Sequence, residues 1–228
     1  QRRWLDRRFP GGVLKFLDEI GFLSPRLSVV HGVQLRPIEY GLMIERGVQL
    51  VSNPSANLRL RSGIAPVAEA RRAGLAVAVG LDGTGLDDDQ DWWRELRLFH
   101  VLHNGDQLQP ELSAQETLDQ AFSAARTVLG LSAAGDTVEL DGAALMADAM
   151  FDDLDPATVI LTRATGRHVL AMQVAGQSVI QYGSLVRVDF EAACRELRQQ
   201  ALVDKPRLLA ERDRVRILVE ATRRYYAD

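Results

Sequence analysis

Few residues in this sequence are equipped for chemistry. Histidines stand at positions 31, 100, 103 and 168, and Cys194 is the single cysteine. One cysteine excludes an intrachain disulfide. It lies in a helical pattern without an adjacent histidine, so it reads as a half-buried packing residue rather than a nucleophile. His31 closes a short apolar run, Leu27-Ser-Val-Val-His31. Asp82 sits in the turn Gly80-Leu-Asp82-Gly83, just past a second run, Leu75-Ala-Val-Ala-Val79. Imidazole and carboxylate are the residue types of acid–base and metal chemistry. Each also has a plainer reading: a histidine at a strand end is often a satisfied core residue, and an aspartate between glycines is often a turn former. Asp87, Asp88, Asp89 and Asp91 form an acidic run. A solvated loop leading into a helix N-terminus explains it, and a part in substrate choice is the functional alternative.

The elements that would position these residues alternate. Apolar residues at helical spacing from Gly12 to Ile20 precede the run ending at His31. A second helix, Pro37 to Glu45, precedes the strand Val48-Gln-Leu-Val-Ser52. A third, Val67 to Ala73, precedes Leu75 to Val79. Short strands that are apolar on both faces, alternating with helices, specify a parallel sheet covered by helices. In a closed barrel of this kind the chemistry sits past the carboxyl ends of the strands. His31, Ser52-Asn53 and Asp82 occupy those ends. Beyond Asp82 two amphipathic helices follow. The first, Asp91 to His103, carries Trp92 and Trp93, which read as packing. The second, Ser113 to Leu129, opens with a capping box from Ser113 and Glu116. Residues 136–188 turn to strands, with a hairpin turn expected at Gly176-Gln177. Phe190 to Tyr226 is helical and charged, and Pro206 is the one position where it could break. His168 is expected at the surface, at the start of a strand.

Composition bounds the rest. With 228 residues, 46% hydrophobic and 25% charged, at net charge -4, the chain can bury a core and offers no bulk attraction for nucleic acid. Arg2, Arg3, Arg7 and Arg8 are interrupted by Trp4 and Leu5, and read as a solvated helix face. No apolar run is long enough for a membrane span. Gln1-Arg-Arg-Trp has neither an initiator Met nor an apolar leader, so a cytoplasmic protein is expected, and a start inside a larger fold is equally compatible.

Four blocks add a resemblance. They are Val30-His31-Gly32-Val33-Gln34-Leu35; Ser52-Asn-Pro-Ser-Ala-Asn57-Leu-Arg-Leu60-Arg-Ser-Gly63-Ile-Ala-Pro66-Val; Val79-Gly-Leu-Asp82-Gly83; and Asp91-Trp-Trp-Arg-Glu95-Leu-Arg97-Leu. In this order and spacing the stretch from His31 to Gly105 resembles the metal-dependent amidohydrolases, in the branch of guanine, cytosine and S-adenosylhomocysteine deaminases and triazine hydrolases. Thr162-Arg-Ala-Thr165 and Val174-Ala-Gly-Gln-Ser-Val179 with Gly183 resemble the end of that family's small β-sandwich domain. The match is to the carboxy-terminal half only.

The resemblance implies an α/β fold: strands six to eight of a (β/α)8 barrel over residues 1–130, part of a small β-sandwich over 131–188, and a C-terminal helical segment over 189–228. It implies a deaminase-like hydrolase attacking the amidine-like carbon of a small heterocycle with a metal-activated water. Asp82 matches the aspartate after strand eight, a metal ligand and proton acceptor. His31 matches the strand-six histidine that orients water or the tetrahedral centre. Asn57 either holds its loop or reaches substrate. The expected cofactor is one divalent metal, zinc first and iron(II) second. His100 and His103, spaced i, i+3, fall on a helix outside the barrel and are expected to be structural. The family's His-x-His pair and its strand-five histidine have no counterpart here, and strand eight reads Gly-Leu-Asp where the family has Gly-Thr-Asp. The amino-terminal half must then come from the same or another chain, and open strand edges lead us to expect a homo-oligomer. The alternative is a noncatalytic partner subunit or inactive fragment.

Overall fold

The computed structural model describes residues 2–85, 89–104, 110–131 and 135–227. Asp87, Asp88 and Gly105 lie outside them. Helices α1 (Arg2–Arg8) and α2 (Val13–Glu19) lead into strand β1 (Ser28–Val30). Helix α3 (Pro37–Glu45), strand β2 (Gln49–Ser52), helices α4 (Pro54–Arg59) and α5 (Val67–Arg72), and strand β3 (Val77–Val79) complete the alternating part. The three strands are parallel, in the order β1-β2-β3, with Val29 opposite Leu50 and Leu50 opposite Val77. The expected alternation is present, with strands of three, four and three residues.

One face of this sheet is packed. Leu50, Val77 and Val79 meet Met43, Val67, Ala70 and Leu96 in a single core, where Leu50, Met43 and Val67 have no exposed surface. Arg46, at the end of α3, donates to both carboxylate oxygens of Asp18 at 2.6 and 3.3 Å, tying α2 to α3. The bond holds the Asp18 carboxyl below the ordinary carboxylate range. Alternation along each strand sends Val30 to the other face, where it is 46% exposed.

Helix α6 (Trp92–His103) caps its own start with Asp91 and runs on to α7 (Ala114–Leu129), whose capping box from Ser113 and Glu116 is present as expected. Helix α7 buries Leu118, Ala121 and Ala124 and packs beside β3. Strand β4 (Thr137–Leu140), helices α8 (Gly142–Leu145) and α9 (Pro156–Arg163), a 3-10 turn at Gly166–His168, and strands β5 (Val169–Val174), β6 (Gln177–Gln181) and β7 (Ser184–Leu185) follow. The strands form one antiparallel sheet, β4-β5-β6-β7. Its hairpin turn lies one residue earlier than expected, at Ala175-Gly176, both with positive φ as a two-residue turn requires. His168 sits in the 3-10 turn, half-buried rather than at the surface, with its Nδ1 accepting from Thr165 N–H at 3.1 Å.

Helix α10 (Phe190–Ala227) continues through Pro206 without a break. The helix is exposed there, so the carbonyl that proline leaves without a donor is open to water. Cys194 is exposed, not half-buried, because no described element packs on its face of α10. No helix among the described residues is long and apolar enough to cross a membrane.

Candidate active site

The structure brings His31, Asn57 and Asp82 together. His31 directly follows β1, and its backbone N–H donates to Val51 O at 2.8 Å, so the ladder fixes its place. Asp82 lies three residues past β3. Both have positive φ, 71° and 68°. For residues with a Cβ that conformation is strained, and it persists only where the surroundings impose it. His31 Nε2 lies 3.5 Å from Asp82 Oδ2, with side-chain exposures of 40% and 24%. Asp82 Oδ1 accepts the Gly83 N–H at 2.6 Å, which leaves Oδ2 turned to the imidazole.

Asn57 is on α4, in the segment Asn53-Pro-Ser-Ala-Asn57, whose residues show no helical apolar period. It is 3% exposed. Its Oδ1 is 3.0 Å from His31 Nδ1, and its Nδ2 donates to the His31 carbonyl at 3.5 Å. The amide is therefore occupied with the histidine on two sides. Two glycines make room for this cluster. At Gly32, φ is 64° and an added Cβ would lie 2.6 Å from Leu50 Cδ1. At Gly80 a Cβ would lie 2.8 Å from Asn53 Oδ1 and 2.9 Å from Val51 Cγ1. Strand ends this close admit no side chain. Ser52 Oγ and Asn53 Oδ1, between the two candidate residues in the sheet, are buried without a hydrogen-bond partner among the described residues.

The remaining histidines serve the fold. His100 Nδ1 is 2.8 Å from Thr117 Oγ1, linking α6 to α7. His103 is 4% exposed and stands edge-on to Phe99. Burial, reinforced by the Arg71 charge, lowers its pKa to about 4. Trp92 packs against Trp93 and Phe122, and its Nε1 donates to Val79 O at 3.3 Å. Asp89 pairs with Arg94 at 3.0 Å at the surface, while Asp87 and Asp88 lie outside the described residues.

A metal centre needs more donors than these. Among the described residues no group of three or more His, Cys, Asp or Glu side chains is placed to hold a metal ion. Among the described residues Asp82 offers one carboxylate, and the imidazole of His31 is the donor group beside it. By themselves these residues do not fit a complete metal site.

Comparison with known proteins accords with this geometry. The amidohydrolase family model matches residues 4–136, more than half of the chain. A 5-methylthioadenosine/S-adenosylhomocysteine deaminase of Nitratidesulfovibrio vulgaris is 31% identical over 185 residues, covering 78% of this chain and 42% of that protein. A zinc-bound adenosine deaminase from Xanthomonas campestris superposes with a TM-score of 0.75 at 27% identity, over 93% of this chain and 48% of that one. A mutant atrazine chlorohydrolase from Arthrobacter aurescens, complexed with zinc and atraton, gives 0.72 at 25% identity, over 84% and 44%. The chain thus spans less than half the length of the relatives it matches. It belongs to the amidohydrolase family.

Proposed function

We propose that this chain is the carboxy-terminal half of a metal-dependent aminohydrolase, acting on the amidine-like carbon of a small heterocycle. The observation that supports this most is the 3.5 Å approach of His31 Nε2 to Asp82 Oδ2, made past the ends of β1 and β3 by two residues of positive φ. Strain of this kind collects at functional sites. On this reading β1, β2 and β3 are strands six, seven and eight of a (β/α)8 barrel. The first unit ends near residue 130, a β-sandwich portion near 188, and α10 forms the third.

His31 would hold the attacking water at Nε2, accepting one of its protons in a hydrogen bond and so orienting its oxygen toward the carbon. Asp82 would take the water's proton at Oδ2 and return it to the leaving nitrogen, so that one C–O bond forms, one C–N bond breaks and ammonia or an amine departs. Asn57 is spent on His31 and would position it rather than read substrate. One divalent ion, zinc with iron(II) as the alternative, would take a carboxylate oxygen of Asp82 and the rest of its ligands from the amino-terminal half. When bound it would lower the pKa of the attacking water. The deaminases and the chlorohydrolase named above favour purine nucleosides or triazines among the heterocycles, which also include pyrimidines and pterins, that this reading admits as substrates.

The rival reading is a noncatalytic partner subunit, which would need no three-donor group, and none is placed among the described residues. Co-expression of this chain with the amino-terminal half of the Nitratidesulfovibrio relative, in zinc, separates the two. The aminohydrolase reading expects ammonia release from adenosine or a related nucleoside by the pair, and a loss of about 10²–10⁴-fold in Asp82→Asn. Ammonia release by this chain alone would overturn the half-site reading. A zinc-loaded pair that releases none would favour the noncatalytic one.

A further inference from the structure

Helix α6 carries a carboxylate in an unusual place. Glu95 has no exposed surface, and its Oε1 accepts the backbone N–H of Ser55 at 2.9 Å, forty positions away in sequence. Ser55 is the second residue of α4. That helix has six residues, too few to hold itself, and its N-cap Asn53 makes no side-chain capping bond. Glu95 does the capping from outside, its Oε1 accepting one of the backbone N–H groups that the start of the helix leaves unpaired. Two residues beyond Ser55, the same helix presents Asn57 to His31.

The other end of the support is fixed too. Asp91 Oδ2 accepts Gly166 N–H at 2.8 Å, and Arg97 donates to the carbonyls of Leu161 and Ala164 at 3.1 and 2.8 Å. Helix α6 is therefore anchored on α9 and the turn after it while its buried carboxylate grips α4. Burying a carboxylate is costly unless it is bonded, and the bond it makes here leads toward the candidate site.

We propose that Glu95 is a positioning residue: by capping α4 it places Asn57 Oδ1 against His31 Nδ1, and so holds the neutral imidazole as its Nδ1–H tautomer, leaving the Nε2 lone pair for the attacking water. The orientation of the Asn57 amide supports this tautomer, since its Nδ2 is committed to the His31 carbonyl. The proposal rests on His31 as the working imidazole, and it deepens the aminohydrolase reading by naming what sets that imidazole's proton.

The test is the imidazole nitrogen spectrum of the ¹⁵N-labelled full chain, at a pH where every histidine is neutral. His31 is assigned from the signals lost in His31→Asn. We expect the Nδ1–H pattern for His31 in the native chain. Glu95→Gln keeps it, because the amide oxygen still accepts from Ser55. Glu95→Ala and Asn57→Ala both lose it to a mixture of tautomers, while His168 stays unchanged. Glu95→Asp, which withdraws the oxygen by one methylene, makes the same comparison should Glu95→Ala fail to fold. Three results would overturn the proposal: a native His31 that is not Nδ1–H, a Glu95→Ala or Glu95→Asp chain that keeps the tautomer Asn57→Ala loses, or a Glu95→Gln chain as perturbed as Glu95→Ala. If the tautomer follows Glu95 and the zinc-loaded pair is still inactive, the positioning stands and the catalytic reading alone fails.

Discussion

Acidification should weaken this fold through one histidine. His103 is buried against Phe99, its backbone carbonyl accepts from Arg71 Nη2 at 2.8 Å, and loss of hydration together with the Arg71 charge lowers its pKa from 6.5 to about 4. The sign follows from proton uptake. Between these values the unfolded chain binds a proton at this site and the folded chain does not, so stability is complete above pH 6.5 and is lost as pH falls toward 4. At about 1.4 kcal/mol per pKa unit the full loss is about 3 kcal/mol, of which about 2 kcal/mol is gone by pH 5. Urea unfolding of the native chain and of His103→Phe at pH 8, 7, 6 and 5 isolates it. Phenylalanine keeps a ring against Phe99 and cannot titrate. The His100 pKa is lowered by the same two causes, and His100 remains in both proteins, so its share cancels. The native chain should lose about 2 kcal/mol more than the variant between pH 8 and 5. Parallel losses in the two proteins would refute the assignment of His103 as a buried, neutral structural residue.

Two further outcomes follow from packing and capping. Gly80→Ala should cost about 1–3 kcal/mol in urea unfolding, because its Cβ would lie 2.8 Å from Asn53 Oδ1 and 2.9 Å from Val51 Cγ1; unchanged stability would show that the strand ends can part without penalty. Arg97→Ala removes both bonds to the end of α9, so amide exchange across residues 156–164 should accelerate about tenfold or more, equivalent to about 1.4 kcal/mol or more. Exchange confined to its native rate would mean that packing alone holds that helix.

Much of the α/β part was legible because its cues are local. Apolar runs bounded by Gly21, Gly47 and Gly74 mark β1, β2 and β3, and a sheet of short apolar strands between helices is parallel by rule. The positions of His31 and Asp82 followed from those strand ends. Helix α4 did not, because six residues of Pro-Ser-Ala-Asn-Leu-Arg carry no apolar period, and the group that caps it stands forty positions downstream. For the same reason the tie from Asn57 to His31 was hidden. Nor could sequence show that His31 and Asp82 adopt positive φ, since glycine is the residue that announces such a backbone and it appears only beside them, at Gly32 and Gly83. Helix α10 was less legible at two positions. Its Pro206 has no packing to break against, and its Cys194 face has no described partner to bury it.

Zinc affinity tests the central claim most directly, measured by equilibrium dialysis on this chain alone and on its assembly with the amino-terminal half. The account predicts no tight, stoichiometric binding by the chain alone, one tightly bound ion in the assembly, and loss of that ion in Asp82→Asn. Tight stoichiometric zinc on the chain alone, or an assembly whose zinc is indifferent to Asp82→Asn, would contradict it.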